Sequence, residues 1–361
     1  MRVPHTRPGV WPGTIPHGRF AAVIQRDWAA VEGVAVAAGA VEPVEPARDR
    51  AEPDPSVRPT LVMLGLPDDA GVALNGGRVG AAEGPSAFRA ALAGYGTPFD
   101  LERAAVTRVR VLDAGDVVPA EGRDEAALHE THCRVTGAVR AVHEAGFVPV
   151  CVGGGHDLTY ASVRALAEHV VDASRAQAPG PTGPDRPLGG LNVDAHLDVR
   201  EEVGSGMPFR RLIEGGHLDA SRFAVFGASR FVNASEHVRW LREGGAAVFG
   251  VGAVRDDTAT VDHAFSLAFG SVLPRPVAPG FVTIDLDAID GAYAPGVSAV
   301  NPCGLGVATV AGIAERAGRT PGVRHFDLME LSPPHDVDGR TARVAVLLFL
   351  HFVAGFMDRA S

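Results

Sequence analysis

The chain has 361 residues, of which 46% are hydrophobic and 21% are charged, and its formal net charge is −10. That composition predicts a globular protein with a sizeable core, and the negative charge without an Arg-rich run disfavours nucleic acid and an anionic membrane as partners. All 33 basic residues are arginines, so a mechanism that needs a Schiff-base lysine is excluded.

The cysteines and the N-terminus bear on the compartment. Cys133, Cys151 and Cys303 are scattered, with no CxxC spacing, which predicts buried reduced thiols and a cytoplasmic setting. The N-terminus lacks the apolar stretch of a secretory signal. No window reaches 18 uninterrupted apolar residues, so we expect no transmembrane span.

Residues 1–59 differ in composition from the rest of the chain. Phe20 to Ala40 could form a helix, but Val41 to Pro59 carries five prolines among charged residues. Such a composition favours a linker or a surface arm over core structure. We therefore predict an N-terminal arm or linker over 1–59 and one catalytic domain over 60–361.

From Thr60 onward, apolar runs of strand length alternate with amphipathic stretches of helix length. This alternation predicts a three-layer α/β/α fold with a mostly parallel sheet of about eight strands. Ser174 to Gly190 is rich in Pro and Gly, which predicts a surface excursion. The predicted strands are Leu61–Leu66, Val109–Asp113, Phe147–Val152, Gly190–Val193, Phe223–Gly227, Ala247–Val251, Phe281–Asp285 and Val323–Leu328. The predicted helices are Pro85–Ala93, Glu125–Glu144, Leu158–Val171, Ser235–Arg242, Asp257–Ala268, Val307–Arg319 and Arg340–Met357.

Polar donors follow four predicted strands at the points where the strands end. Ligands of open parallel sheets collect beyond the carboxyl ends of the strands, so we expect these donors to meet. Three glycines before His156 allow a tight turn there. The donors are His156 after Phe147–Val152; Asp194, His196 and Asp198 after Gly190–Val193; Asp285 and Asp287 at the end of Phe281–Asp285; and Glu330 after Val323–Leu328.

Without Glu330, this set comprises four carboxylates and two imidazoles, which are too many for one ion and suit two. Mostly oxygen donors with some imidazole and no thiolate favour Mn²⁺ over structural Zn²⁺. Two such cations can share one water and lower its pKa. The alternatives are a charged loop with a surface histidine for Asp194 to Asp198 and helix-capping aspartates at Asp157 or Asp290.

Three motifs carry a resemblance to a known family. They are Gly-Gly-Gly-His156-Asp157, Asp194-Ala-His196-Leu-Asp198 and Asp285-Leu-Asp287-Ala-Ile-Asp290. With the Glu330 segment, they make residues 60–358 similar to the ureohydrolases, that is arginases, agmatinases and formimidoylglutamases. The resemblance implies an arginase-like α/β/α fold and two Mn²⁺ per subunit. It assigns His156, Asp194, Asp198 and Asp285 to one manganese, His196, Asp194, Asp285 and Asp287 to the other, and Glu330 to the cationic nitrogen of the substrate.

One departure from the family pattern concerns proton transfer. Arginases and agmatinases usually have a His-Gly pair where this chain has Ser205-Gly206. Serine does not act as a general acid near neutral pH. The catalytic candidates that remain are Asp198, Glu330 and, as an orienting group, Ser205.

The stretch Ser205-Gly-Met-Pro-Phe209 resembles formimidoylglutamases. So do the triple glycine, Arg200, the Asn75 to Gly80 loop and the Asp336 to Arg343 segment. The resemblance implies hydrolysis of N-formimidoyl-L-glutamate to L-glutamate and formamide, a reaction of histidine degradation. A substrate with two carboxylates needs cationic or amide donors. The candidates are Arg200, Arg78, Asn75, Arg210 and Arg211, each arginine having a surface salt bridge as its alternative.

Three other functions stay open at this point. One is a ureohydrolase that releases urea from a guanidino substrate, and another is a metal-binding protein without turnover. The third is a binuclear phosphoesterase, which the absence of lysine disfavours. The family resemblance also implies a homo-oligomer, and the apolar stretch from Val344 to Phe356 is either a core helix or an interface.

Overall fold

One β-sheet forms the centre of the part of the chain that the structure describes. This computed structural model describes residues 3–16, 19–22, 24–26, 60–96, 109–177, 188–254, 258–270 and 279–360. The strands are β1 (Thr6–Arg7), β2 (Thr60–Gly65), β3 (Arg110–Val117), β4 (Val148–Val152), β5 (Leu188–Val193), β6 (Leu218–Ala228), β7 (Ala247–Gly250), β8 (Gly280–Asp285) and β9 (Val323–Met329).

The strand order is β1-β3-β2-β4-β9-β8-β5-β6-β7. All pairs are parallel except β1 with β3. Every residue of β2, β4, β5 and β8 is buried, as expected for strands that are covered on both faces. The predicted fold class and all eight predicted strands are confirmed.

Helices cover both faces of the sheet, and alternate residues of β2 show the two sides. Leu61 and Met63 pack in one apolar cluster, and Val62 and Leu64 pack in another with residues of α3 and α4. The helices are α1 (Ala70–Leu74), α2 (Gly84–Leu92), α3 (Glu125–Glu144), α4 (Leu158–Gln177), α5 (Pro208–Glu214), α6 (Ser235–Glu243), α7 (Val251–Val254), α8 (Thr258–Phe269), α9 (Val307–Arg319) and α10 (Arg340–Met357).

The N-terminal segment adds an edge strand that the pattern did not indicate. Thr6 pairs with Val117 and Arg7 with Asp116 in antiparallel register. Nearby, the Trp11 indole N–H donates to Asp113 at 2.6 Å. The stretch therefore lies along β3. Of the helix predicted over 20–40, Phe20–Ala22 forms a short 3₁₀ turn, and 27–40 lie outside the described residues, as do 41–59.

Two further predictions need correction. The excursion predicted from Ser174 to Gly190 is shorter, because α4 continues to Gln177 and β5 begins at Leu188; residues 178–187 lie outside the described part. Of the three cysteines predicted to be buried, only Cys151 is, whereas Cys133 and Cys303 are exposed. An isolated cysteine in a sequence does not report its own burial.

Helix α10 is long and apolar enough to cross a membrane by length and composition alone. In the structure it packs against α9 and α2, and Phe349 and Phe352 are fully buried. A buried helix between a sheet and its neighbours passes the same compositional test. Val344 to Phe356 therefore belongs to the core.

Candidate metal centre

Four neighbouring strands bring the polar donors to one edge of the sheet. In the order β4-β9-β8-β5, the chain leaves β4 for β5 and fills the two positions between them only later. Parallel strands end on the same side, and a site forms where the order of connection changes. Residues more than 150 positions apart in sequence, such as His156 and Glu330, therefore become neighbours; the Glu330 carboxylate accepts from the His156 N–H.

The first group of donors surrounds the His156 imidazole. Nδ1 of His156 lies 3.2 Å from Asp194 Oδ2, 2.9 Å from Asp198 Oδ2 and 3.3 Å from Asp285 Oδ2. Ligand atoms about 2.1 Å from an octahedral ion are about 3 Å from their neighbours. The spacing of this group therefore fits one divalent cation.

The second group shares Asp194 with the first. Nδ1 of His196 lies 2.9 Å from Asp287 Oδ2 and 3.6 Å from Asp194 Oδ1. Asp194 thus presents one oxygen to each group, as a bridging carboxylate does. Asp285 belongs to the first group, and its Oδ1 accepts from the Asp287 N–H at 2.8 Å. Three of the four residues implied for the second manganese are thus grouped together.

The electrostatics of the two groups call for a positive charge. Burial, followed by repulsion from neighbouring carboxylates, raises the pKa of Asp198 and holds the pKa of Asp285 well above its usual range. Burial also raises the pKa of Asp287 to about 6. Against the effect of burial, hydrogen bonds from His156 and His196 keep the pKa of Asp194 low. Divalent cations satisfy such a set without protons, so these residues fit the implied metal pair.

The backbone around the ligands takes conformations that few residues tolerate. Gly153 and Gly154 have φ of +85° and +81°, and a Cβ on Gly154 would lie 2.3 Å from the Leu66 carbonyl oxygen. The predicted tight turn before His156 is therefore present. Asp198 and Glu330 are also left-handed, with φ of 50° and 66°, a strain typical of functional sites.

Three polar side chains support the predicted ligands and were not identified from the sequence. Asn192 Nδ2 donates to Asp194 Oδ2 at 3.0 Å, and Thr283 Oγ1 lies 3.0 Å from His156 Nε2. Asn233 accepts from the Leu197 N–H and donates to the Ala195 carbonyl. Asn192 and Thr283 are polar residues in apolar strands, two positions before a ligand, so strand alternation could have found both. Asn233 has no such signal.

Glu330 lies beside the first group and is buried. Its Oε1 accepts from the His156 N–H at 3.0 Å. Burial raises the pKa of Glu330 to about 7, while the neighbouring Ser298 side chain and the His156 N–H act to lower it. Among the described residues, Oε2 has no hydrogen-bond partner. A buried acceptor of this kind fits a ligand that brings an N–H donor.

Three of the residues predicted to bind substrate join loops near the strand ends. Arg200 Nη1 donates to Asn75 Oδ1 at 2.9 Å. Arg78 donates to the Ser298 and Val297 carbonyls at 2.9 and 2.7 Å. Asn75 and Arg78 thereby connect the loop after α1 to the loops that follow β5 and β8.

The other predicted residues lie within the fold. The Arg210 guanidinium stacks on Trp240 at 4.3 Å and donates to the Val199 carbonyl at 2.7 Å. Arg211 donates to the Glu201 carbonyl. Ser205 is buried, and its N–H donates to the Gly71 carbonyl at 2.9 Å. The structure thus groups Asn75 with Arg200, whereas the contacts of Arg210 and Arg211 hold α5.

Two buried aspartates that repel each other, Asp68 and Asp157, lie next to the first group. Asp157 is fully buried, and its Oδ2 lies 2.8 Å from His132 Nε2. Burial, and then repulsion from Asp157, raises the pKa of Asp68 to about 6. Because this value lies above the ordinary 3.8, the folded state holds the proton more tightly than the unfolded state. The stability that the proton contributes is present at low pH and is lost as pH rises from about 4 to about 6.

We expect Asp68→Asn to raise the free energy of unfolding at pH 8 by about 1–2 kcal/mol, since the amide oxygen keeps the bond to the Ala70 N–H. Denaturant unfolding of parent and variant at pH 4 and pH 8, with chelator present, measures the effect. At pH 4 the two should differ little. Asp124→Asn, an exposed helix cap, is the control. Equal stability of parent and Asp68→Asn at pH 8 would contradict the prediction.

Residues 59–355 match the model of the arginase family. The chain is 37% identical to a formimidoylglutamase of Nocardia farcinica over 313 residues, covering 86% of this chain and 89% of that one. It is 35% identical to a formimidoylglutamase of Halobacterium salinarum over 323 residues, covering 88% and 92%. The crystal structure of Trypanosoma cruzi formiminoglutamase with Mn²⁺ superposes with a TM-score of 0.70 at 32% identity, covering 83% and 94% of the two chains. This protein belongs to the arginase family.

Proposed function

We propose that this protein is a binuclear manganese hydrolase that converts N-formimidoyl-L-glutamate and water to L-glutamate and formamide. The observation that carries the proposal is the pair of donor groups that share Asp194. The relatives named formimidoylglutamases, which match over most of the chain, support the choice of substrate. Residues 60–361 would form the catalytic domain.

The ligand groups define what would hold the metals. His156, Asp194, Asp198 and Asp285 would hold one Mn²⁺, and Asp194, His196 and Asp287 would hold the second, with Asp285 as the further shared ligand that the family pattern implies. When bound, two cations supply Lewis acidity and lower the pKa of a shared water.

The chain's own residues would orient the amidine and move the proton. Glu330 Oε2, which is buried and without a partner among the described residues, would accept a charge-assisted hydrogen bond from the amidine nitrogen. The Asp198 oxygen that does not face His156 would accept a proton from the attacking water and deliver it to the leaving amine of glutamate. Ser205 would hold the adjoining loop in place.

The substrate carboxylates need cationic or amide donors beside this centre. Arg200 and Asn75 are bonded to each other, so they present a guanidinium and an amide side by side. Arg78 is exposed, and it is held beside the loop after β8 by its bonds to the Ser298 and Val297 carbonyls. We assign carboxylate recognition to these three residues. Arg210, held by Trp240 and Val199, would act only through the position of α5.

We expect Arg200→Gln to raise the KM for N-formimidoyl-L-glutamate by about tenfold to a hundredfold, with a smaller change in kcat. Losing a charged hydrogen bond costs about 1.5–3 kcal/mol, and this bond would be made in both ground and transition states. Steady-state kinetics measures the split, with Arg242→Gln, at an exposed arginine of α6, as control. An unchanged KM in Arg200→Gln would remove this residue from the substrate site.

A second function would be a metal-binding protein without turnover. Asp287→Ala separates the two possibilities, because it removes a ligand of the second group only. If the proposal holds, the parent with Mn²⁺ releases glutamate and the variant releases almost none. The absence of glutamate release from both would favour the protein without turnover.

The setting of the enzyme follows the same argument. We propose a cytoplasmic homo-oligomer that acts on a free metabolite. The net charge of −10 supports only the free metabolite as partner, since it disfavours nucleic acid and an anionic membrane. Size-exclusion chromatography with light scattering measures the oligomeric state.

A further inference from the structure

A chain of hydrogen bonds runs into the core from Nε2 of His156, the ring nitrogen that does not face the carboxylates. His156 Nε2 lies 3.0 Å from Thr283 Oγ1, which lies 3.5 Å from Thr159 Oγ1. Thr159 Oγ1 donates to Asp327 Oδ2 at 3.0 Å, and His325 Nε2 lies 3.2 Å from the same oxygen. All five side chains are at most 1% exposed. The chain therefore links a metal ligand to a buried carboxylate.

The groups at the two ends of this chain determine which atom donates in each of its hydrogen bonds, and the two ends agree. At one end, Nδ1 of His156 faces the three carboxylates of the first group, so a cation held there would take the Nδ1 lone pair and leave the proton on Nε2. The Nε2–H then donates to Thr283. At the other end a carboxylate accepts from Thr159, so the Thr159 oxygen is left to accept from the Thr283 hydroxyl.

The sequence of β8 shows that packing alone does not require the hydroxyl of Thr283. Thr283 lies between Val282 and Ile284 in a fully buried strand, where valine would fill the same volume. A buried hydroxyl without a partner costs about 1–3 kcal/mol. We infer that the Thr283 hydroxyl contributes to the site through its bond to His156.

We propose that Thr283, Thr159 and Asp327 are positioning residues that hold His156 in the Nε2–H tautomer and strengthen it as a ligand of the first metal. The inference rests on the proposed function only in taking the two donor groups as metal sites. A histidine ligand whose other N–H is bonded is fixed in orientation and made more basic. Loss of such a partner typically lowers metal affinity about 10–100-fold.

The test compares Thr283→Val, which keeps the shape and removes the hydroxyl, with Thr283→Ser, which keeps the hydroxyl. Thr136→Val, a buried threonine between α3 and α4 that bonds the Ala161 carbonyl, is the matched control. Titration with Mn²⁺, followed by the electron paramagnetic resonance signal of the free ion, gives the affinity of each site. Thermal unfolding with chelator checks that the variants fold.

We expect Thr283→Val to weaken one of two Mn²⁺ sites at least tenfold and leave the other unchanged. Thr283→Ser should restore parent affinity, and Thr136→Val should match the parent. Parent affinity at both sites in Thr283→Val would overturn the inference, as would equal weakening in Thr283→Ser. If Thr283→Val does not fold, Thr159→Val is judged by the same criterion. A parent that binds two Mn²⁺ without releasing formamide refutes the proposed function alone.

Discussion

Asp285→Asn should strongly reduce hydrolysis while stabilising the metal-free protein. Asp285 faces His156 at 3.3 Å in the first group, and its loss removes a ligand from the centre. The resulting loss of several kcal/mol of transition-state stabilisation lowers kcat/KM by about 10³-fold. Without metal, burial and repulsion from Asp287 and Asp194 hold the pKa of this carboxyl well above its usual range. A neutral amide relieves that repulsion.

Thermal unfolding with and without Mn²⁺ measures both the stabilisation by the metal and the stability of the metal-free protein. The parent should gain stability on adding Mn²⁺, whereas the variant should gain much less and should unfold at a higher temperature than the parent in chelator. Asp290→Asn is the control, because Asp290 belongs to neither donor group. A variant that gains as much from Mn²⁺ as the parent would remove Asp285 from the metal site.

Glu330→Gln should lower kcat/KM by about a hundredfold and leave Mn²⁺ binding unchanged. The amide keeps the acceptor for the His156 N–H but replaces the carboxylate oxygen that we assign to the amidine nitrogen. A hydrogen bond to a charged partner is worth about 1.5–3 kcal/mol, so its loss weakens the hold on the cationic amidine by an amount of this order. Steady-state kinetics with parallel metal analysis measures both quantities.

The control for Glu330→Gln compares inhibition by a small amidine with inhibition by a neutral amide of similar size. The variant should discriminate less between the two as inhibitors than the parent does. A fall in activity that is accompanied by loss of Mn²⁺ would instead assign Glu330 to metal binding.

Much of the fold follows from the sequence because the strands are buried on both faces. Such strands form nearly continuous apolar runs, and β4 and β8 are examples in which every residue is buried. Helix α3 has the predicted bounds, and its cap at Asp124, which accepts from the Ala127 N–H, marks the start. Strand β1 and helix α5 were missed, since two and seven residues carry little periodicity.

The six predicted ligands were named from the sequence because each comes at or just after the end of an apolar strand. The structure brings them into two groups that share Asp194. The supporting residues were harder to find. Asn233 follows β6, yet it bonds the backbone on both sides of His196. Only the neighbouring position of β5 and β6 reveals that contact.

Substrate-binding residues were the hardest to name, because arginines are frequent on any surface. Arg210 adjoins a motif in sequence, yet its guanidinium packs on Trp240. Arg200 is two residues past a ligand and lies beside Asn75, which is 125 residues away. Sequence spacing gives the order of such residues but not the direction of long side chains.

The most direct test of the account is the identity of the product. Purified protein loaded with Mn²⁺ is incubated with N-formimidoyl-L-glutamate labelled with ¹³C at the formimidoyl carbon, and separately with arginine and agmatine, and each reaction is followed by NMR. We expect the label to appear in formamide, with one glutamate formed for each formamide, and no urea from the guanidino compounds. Release of urea from arginine or agmatine, with the formimidoyl signal unchanged, would contradict the account.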